Sequence, residues 1–175
     1  RPTMHAALEN LFARRSIRQF KDRDVPDELV KTILEAAMAA PSAGNYRPVD
    51  YIVVRDAETR RKLADIHPYA KMVPQAPICV VPCGLPARSF ASQSDFWIQD
   101  AAAATENMLL AAVALGLGAV WCGVYPVSER VQATRELLGL PSDVVPFAFV
   151  PLGYPAEHKE PRTQYDDSRV HHNRW

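Results

Sequence analysis

Three guanidinium groups and a hydroxyl fall within five residues, Arg14-Arg15-Ser16-Ile17-Arg18. Arginine forks pair bidentately with phosphate oxygens, so this cluster can converge on a dianionic phosphate. The same spacing suits a solvated basic turn, because cations are favoured at a helix C-terminus; the residues alone leave both readings open. A second segment, Pro41-Ser42-Ala43-Gly44-Asn45, offers small residues, free backbone N–H groups and one amide side chain. That suits close approach to a flat polar ring, and equally a plain loop. A third, Trp121-Cys122-Gly123, closes an apolar run with a glycine beside which a ligand or a backbone can lie. Cys122 reads as a buried, inert thiol, since no neighbour in sequence would activate it.

No residues of the usual acid–base or nucleophilic sets stand at matching spacings. Ser-His-Asp order, a Walker loop and a GxGxxG turn are all missing, and His5, His67, His158, His171 and His172 have no zinc-site spacing. Asp100 and Glu106, on one helical run, fit a capping or subunit-interface role better than a catalytic acid pair. An enzyme with no such set borrows its chemistry from a cofactor and uses the protein to bind and orient it. Lys plus Arg equals Asp plus Glu, twenty against twenty, so no global positive field would gather a polyanion. Nucleic acid is therefore not expected as a partner, and any anion site must be local. Cys79, Cys83 and Cys122 form an odd set without a CxxC pair, which fits a reducing cytoplasm. No apolar window is long enough to cross a bilayer, and no membrane association is expected.

The elements that must position these segments follow from periodicity and punctuation. Fifteen prolines against seven glycines fall mostly where apolar runs begin or end. Met4 to Ala13 carries a helical stripe. A second helix, capped by Asp24 and with Pro26 in its first turn, runs until Pro41 stops it. Strands are expected at Tyr51–Val54, Pro77–Cys83, Ala119–Tyr125 and Val144–Leu152. Ala57–Ile66 reads as a charged surface helix, and a short helix follows Ser128 as its cap. The alanine-rich run from Phe96 to Leu115 is apolar on more than one side, which points to burial on more than one side and to an oligomer interface. Residues 157–175 are polar and charged yet end in Trp175, as a tail crossing to a second subunit would. The whole reads as one α/β or α+β domain spanning residues 1–175.

Taken in order, these segments resemble the FMN-dependent nitroreductase family. The matching pieces are R-R-S-I-R-x-F at 14–20, A-A-P-S-A-G-N at 39–45, the strand at 51–54, A-P-I-C-V-V at 76–81, G-L-G-A-V-W-C-G at 116–123 and P-L-G-Y-P at 151–155 before an extended tail. The resemblance implies an α+β fold, a three-layer α/β/α sandwich with a mainly antiparallel sheet. It also implies a homodimer with FMN at the interface and a tail, 157–175, extending onto the partner. Arg14, Arg15, Ser16 and Arg18 would grip the phosphate, ribityl and pyrimidine edge, and Lys159 and Arg162 would complete the phosphate site. Pro41, Ser42, Ala43 and Asn45 would line the ring from the other subunit, with Trp121, Cys122 and Gly123 near its N5 edge. One of Tyr69, Lys71 and Met72 would add a further flavin contact. The implied reaction carries hydride from NAD(P)H through FMN to a small acceptor such as a nitroaromatic or quinone. A flavin-binding module with little turnover, or a flavin-free dimeric scaffold, are the competing readings. Members of the family carry Glu where this chain has Cys122, and the substrate-covering segment, here Leu85 to Phe96, is abbreviated, which implies a more open pocket.

Overall fold

The computed structural model describes residues 4–175. The sheet is built around Ile78–Gly84 (β2), a strand buried along its whole length. Its side chains alternate between two cores: Ile78 and Val80 face one, while Cys79, Val81 and Cys83 face the other. A strand buried on both faces reads as a continuous apolar run rather than an alternating one, which is why 78–83 is so uniformly greasy. Val49–Val54 (β1) pairs antiparallel on one side, and Ala148–Gly153 (β6) on the other. Gly118–Ala119 (β3) and Cys122–Gly123 (β4) pair with β6, and Val145–Pro146 (β5) with β2, all antiparallel.

One helical layer consists of Asp27–Met38 (α2) and Phe96–Ala114 (α4), which bury Ile33, Ala37, Ala101 and Met108 against the first core. The opposite layer holds Ala57–Ile66 (α3) and Ser128–Leu138 (α5), with Leu63 and Ala64 of α3 in the second core. Ala6–Ala13 (α1) lies against α4 and buries none of its residues completely. This is the expected three-layer α/β/α arrangement on an antiparallel sheet. Where β2 meets α4 the packing leaves no spare room: a Cβ on Gly84 would lie 2.1 Å from Trp97 Cε3.

Four local expectations need correction. The strand expected at 119–125 is two short pieces on one ladder, interrupted opposite Val150 and Pro151, and Pro151 has no N–H to donate. The strand expected at 144–152 is also two pieces. Its register against β2 slips by one residue at Phe147, a β-bulge whose N–H still reaches Pro82 O at 2.9 Å. Asp24 does not cap α2. Pro26 holds the cap position, and the Asp24 carboxylate instead accepts from Val25 N and pairs with Arg55 at 3.1 Å. Ser128 is the first residue of α5 rather than its cap, which is Val127. Leu85 to Phe96 holds only the short 3-10 turn Pro86–Arg88 before α4 begins. The last residues, 161–175, are exposed throughout, and Trp175 is fully so.

Candidate functional site

Ile17 decides where the arginines point. Its side chain is buried, packed so closely on β3 that a Cβ on Gly118 would fall 2.7 Å from it, and its N–H donates to Ala119 O at 3.0 Å. With Ile17 turned inward, the neighbouring Ser16 and Arg18 are carried along the edge of β3. Arg18 there joins Lys71, Trp121, Cys122, Gly123 and Arg130 in the walls of a cleft of about 460 Å³. Among the described residues three cations line this cleft and no carboxylate does. Gly123 leaves open space beside it, since a Cβ there would meet nothing within 4 Å. Tyr69, Lys71 and Met72 all line the same walls.

The start of the tail closes on the arginine segment from across the chain. Arg15 Nη1 donates to Glu160 O at 2.6 Å, Lys159 Nζ to Ser16 O, and Arg162 N to Phe12 O at 3.1 Å. Arg18 N donates to Glu157 Oε2 at 3.0 Å, and Lys159 pairs with the same carboxylate at 3.2 Å. The bond from the Arg18 N–H and the nearby Lys159 hold the Glu157 carboxyl below its ordinary range. Residues 157–162 thus lie along the 12–18 segment, and of Arg15, Ser16, Arg18, Lys159 and Arg162 it is Arg18 that lines the cleft. Arg14 turns away from this group and pairs with Glu106 of α4 at 3.6 Å. Burial pushes the Glu106 carboxyl up, and Arg14 partly offsets it.

Pro41, Ser42, Ala43 and Asn45 lie elsewhere in the chain. Pro41 and Ser42 line a different cavity, of about 350 Å³, which shares no residue with the cationic cleft. The loop is held in shape by Asp100 Oδ1, which accepts from Ala43 N at 3.0 Å, and by Ser42 Oγ, which accepts from Arg47 N at 2.9 Å. Gly44 and Asn45 take left-handed conformations, φ 59° and 57°, which make the turn tight. Asp100, expected in a capping or subunit-interface role, thus takes up a backbone N–H of this turn.

All three thiols are buried. Burial pushes Cys122 up to about 11 even though Arg18 pulls it down, and its Sγ donates to Tyr69 O at 3.9 Å. Burial likewise raises Cys79, and raises Cys83 to about 12. Among the described residues no cluster of His, Cys, Asp and Glu is arranged to hold a metal.

Two polar residues in the cleft walls were not singled out from sequence as part of a site. His67, which is 2 % exposed, accepts from Tyr69 N through Nδ1 at 3.0 Å. Nε2 therefore carries the proton and donates to Gly123 O at 2.7 Å. Arg130 Nη1 donates to the same carbonyl at 3.0 Å and sits 3.1 Å from His67 Nε2. Burial, and then the Arg130 charge, lower the His67 pKa. Nothing in the sequence marks this trio, because its hub is a backbone oxygen.

The cleft's donors and cations match a ligand rich in acceptor atoms and negative charge, and the open space at Gly123 admits a flat group. A mononucleotide such as FMN has both features, and the residues present fit it. Comparison with known proteins points the same way. The model of the family described as the nitroreductase family matches residues 11–67 and 67–154. A protein of Methanothermobacter thermautotrophicus, provisionally named NADH dehydrogenase/NAD(P)H nitroreductase, is 47% identical over 168 residues, covering 96% of this chain and 87% of its own. A crystal structure from Parabacteroides distasonis, under the same provisional name, superposes with a TM-score of 0.94 at 37% identity and covers 98% of this chain and 100% of its own. A provisionally named nitroreductase of Desulfovibrio desulfuricans, solved in complex with FMN, superposes with a TM-score of 0.83 at 31% identity and covers 99% of both chains.

Proposed function

This chain belongs to the nitroreductase family, and we propose that it is an NAD(P)H-dependent FMN oxidoreductase that passes hydride to a small acceptor such as a nitroaromatic or quinone. The observation that carries the reading is the cleft in which Arg18, Lys71 and Arg130 surround an open glycine edge, with Arg15 and Ser16, on the same segment as Arg18, tied to Glu160 and Lys159. FMN, when bound, supplies the two-electron relay between the nicotinamide and the acceptor.

The chain's own residues bind and orient. Arg15, Ser16, Lys159 and Arg162 would hold the phosphate. The tie from Lys159 Nζ to Ser16 O and that from Arg15 to Glu160 O pre-set the two segments before any ligand arrives. Arg18 and Lys71 would place positive charge where negative charge develops on the ring. Trp121, Cys122 and Gly123 would form the wall beside the ring. Burial raises the Cys122 pKa to about 11, which disfavours a covalent part for its thiol. Arg14, paired with Glu106, would secure α1 to α4 rather than touch the ligand directly.

Pro41, Ser42, Ala43 and Asn45 would reach a flavin only from a second copy, since within one chain their cavity is separate from the cleft. A homodimer follows from that reading. The exposed tail and the half-exposed Leu8 and Leu11 of α1 would be covered in the same assembly. One pocket would serve both nicotinamide and acceptor in turn. Steady-state oxidation of NADPH by a quinone should therefore give parallel double-reciprocal lines. FMN-saturated protein that oxidises no NADPH with any quinone or nitroaromatic offered would overturn the proposal.

A further inference from the structure

The Gly123 carbonyl is a point at which separate walls of the cleft are tied together. The pairing of β4 with β6 sets the direction of this peptide. Gly123 lies opposite Ala148, and Val124 N donates to Phe147 O at 3.1 Å. In an antiparallel ladder that pattern makes Gly123 a residue whose own N–H and C=O both point away from β6. The C=O is met on that outer edge by His67 Nε2 at 2.7 Å and Arg130 Nη1 at 3.0 Å. The N–H leaves on the same edge, where Gly123 borders the open cleft.

We propose that His67 and Arg130 are a positioning pair: they lock the Gly123 peptide so that its N–H is presented to a flavin in the cleft. The inference rests on the reading of the cleft as the FMN site. His67 belongs to the turn before Tyr69, Arg130 to α5 and Gly123 to β4, so the pair joins three elements at one oxygen. His67 is itself oriented by the Tyr69 N–H on Nδ1. A carbonyl that accepts from both a buried imidazole and a guanidinium is fixed more firmly than a strand edge held by one partner. Arg130 lines the cleft as a third cation and adds to its field at the same place. Neither residue touches the reacting atoms in this account; each acts through Gly123.

The test compares Arg130→Ala and His67→Leu, which remove a donor, with His67→Gln, which keeps both a donor for Gly123 O and an acceptor for Tyr69 N. In FMN-free protein, the Gly123 amide signal in a ¹H–¹⁵N spectrum should move in the first two and return toward its wild-type position in His67→Gln. In FMN-loaded protein, the rate at which NADPH bleaches the flavin, normalised to bound flavin, should fall between about tenfold and a hundredfold in the first two, as misplaced contacts at a reacting centre do. His67→Gln should recover most of that loss. An unmoved Gly123 amide together with an unchanged rate per bound flavin overturns the proposal. Lower melting temperatures with an unchanged rate per bound flavin also overturn it, because the pair is then packing alone. Wild-type protein that takes up no FMN is a separate outcome: it removes the reading of the cleft, and the proposal with it, whatever the variants do.

Discussion

At the scale of single residues, the site is defined more by what is held still than by what reacts. Arg18 is tethered by its backbone to Glu157, yet its side chain lines the cleft. Replacing it with Ala would remove the charged contact proposed for FMN without disturbing that backbone bond. A hydrogen bond to a charged group is worth about 1.5–3 kcal/mol, so the FMN dissociation constant should rise between about tenfold and a hundredfold, as measured by flavin fluorescence titration. Cys122, pushed up to about 11, and its buried companions Cys79 and Cys83 should resist iodoacetamide at neutral pH in the native protein. All three should react once it is unfolded, as intact mass would show. His67 gives a pH signature. Its pKa is lowered from 6.5 in the folded protein, so below about that pH the unfolded chain binds a proton that the folded one refuses. Stability should therefore fall as the pH drops through the mid-sixes and be fully present above it. His67→Gln should flatten this part of the profile in urea unfolding at a series of pH values.

At the scale of elements, what could be read from the sequence depended on whether a signal was carried by side chains. The α3 limits, Ala57–Ile66, were legible from its charged face, and those of α4, to within a residue, from its apolar run. The breaks inside the third and fourth strands do not show in hydropathy. One reflects a missing N–H at Pro151 and the other a bulge at Phe147, and both leave the apolar pattern unbroken. The site divides in the same way. The cluster at 14–18 is visible as residue types, but its union with 157–162 spans most of the chain and came from the order of motifs. The His67–Gly123–Arg130 contact is centred on a main-chain oxygen, which leaves no mark on residue type. Element packing also makes a prediction. The Cβ of Gly84→Ala would press β2 against Trp97 of α4. Overpacking of this kind costs about 1–3 kcal/mol, so the urea midpoint should fall while the m-value stays unchanged.

At the scale of the whole molecule, neutrality and local charge are compatible because the basic residues are not spread evenly. Twenty basic and twenty acidic side chains balance overall, but the cleft walls hold Arg18, Lys71 and Arg130 and, among the described residues, no acid. The cleft and the Pro41–Asn45 loop occupy separate parts of one chain, so the proposed flavin site is complete only in a pair. Protein cut after Arg162 keeps Lys159 and Arg162 but loses the exposed tail. It should show a lower dimer fraction by sedimentation and retain less FMN through purification. A full-length chain that sediments as a monomer while holding FMN would contradict the two-copy site. The central claim, that this is a flavin oxidoreductase, is tested most directly by the visible spectrum of the purified protein before and after NADPH. The account predicts flavin absorption bands that bleach on NADPH addition and return when a quinone is supplied. Protein that is colourless, and stays colourless after incubation with FMN and removal of the excess, would contradict it.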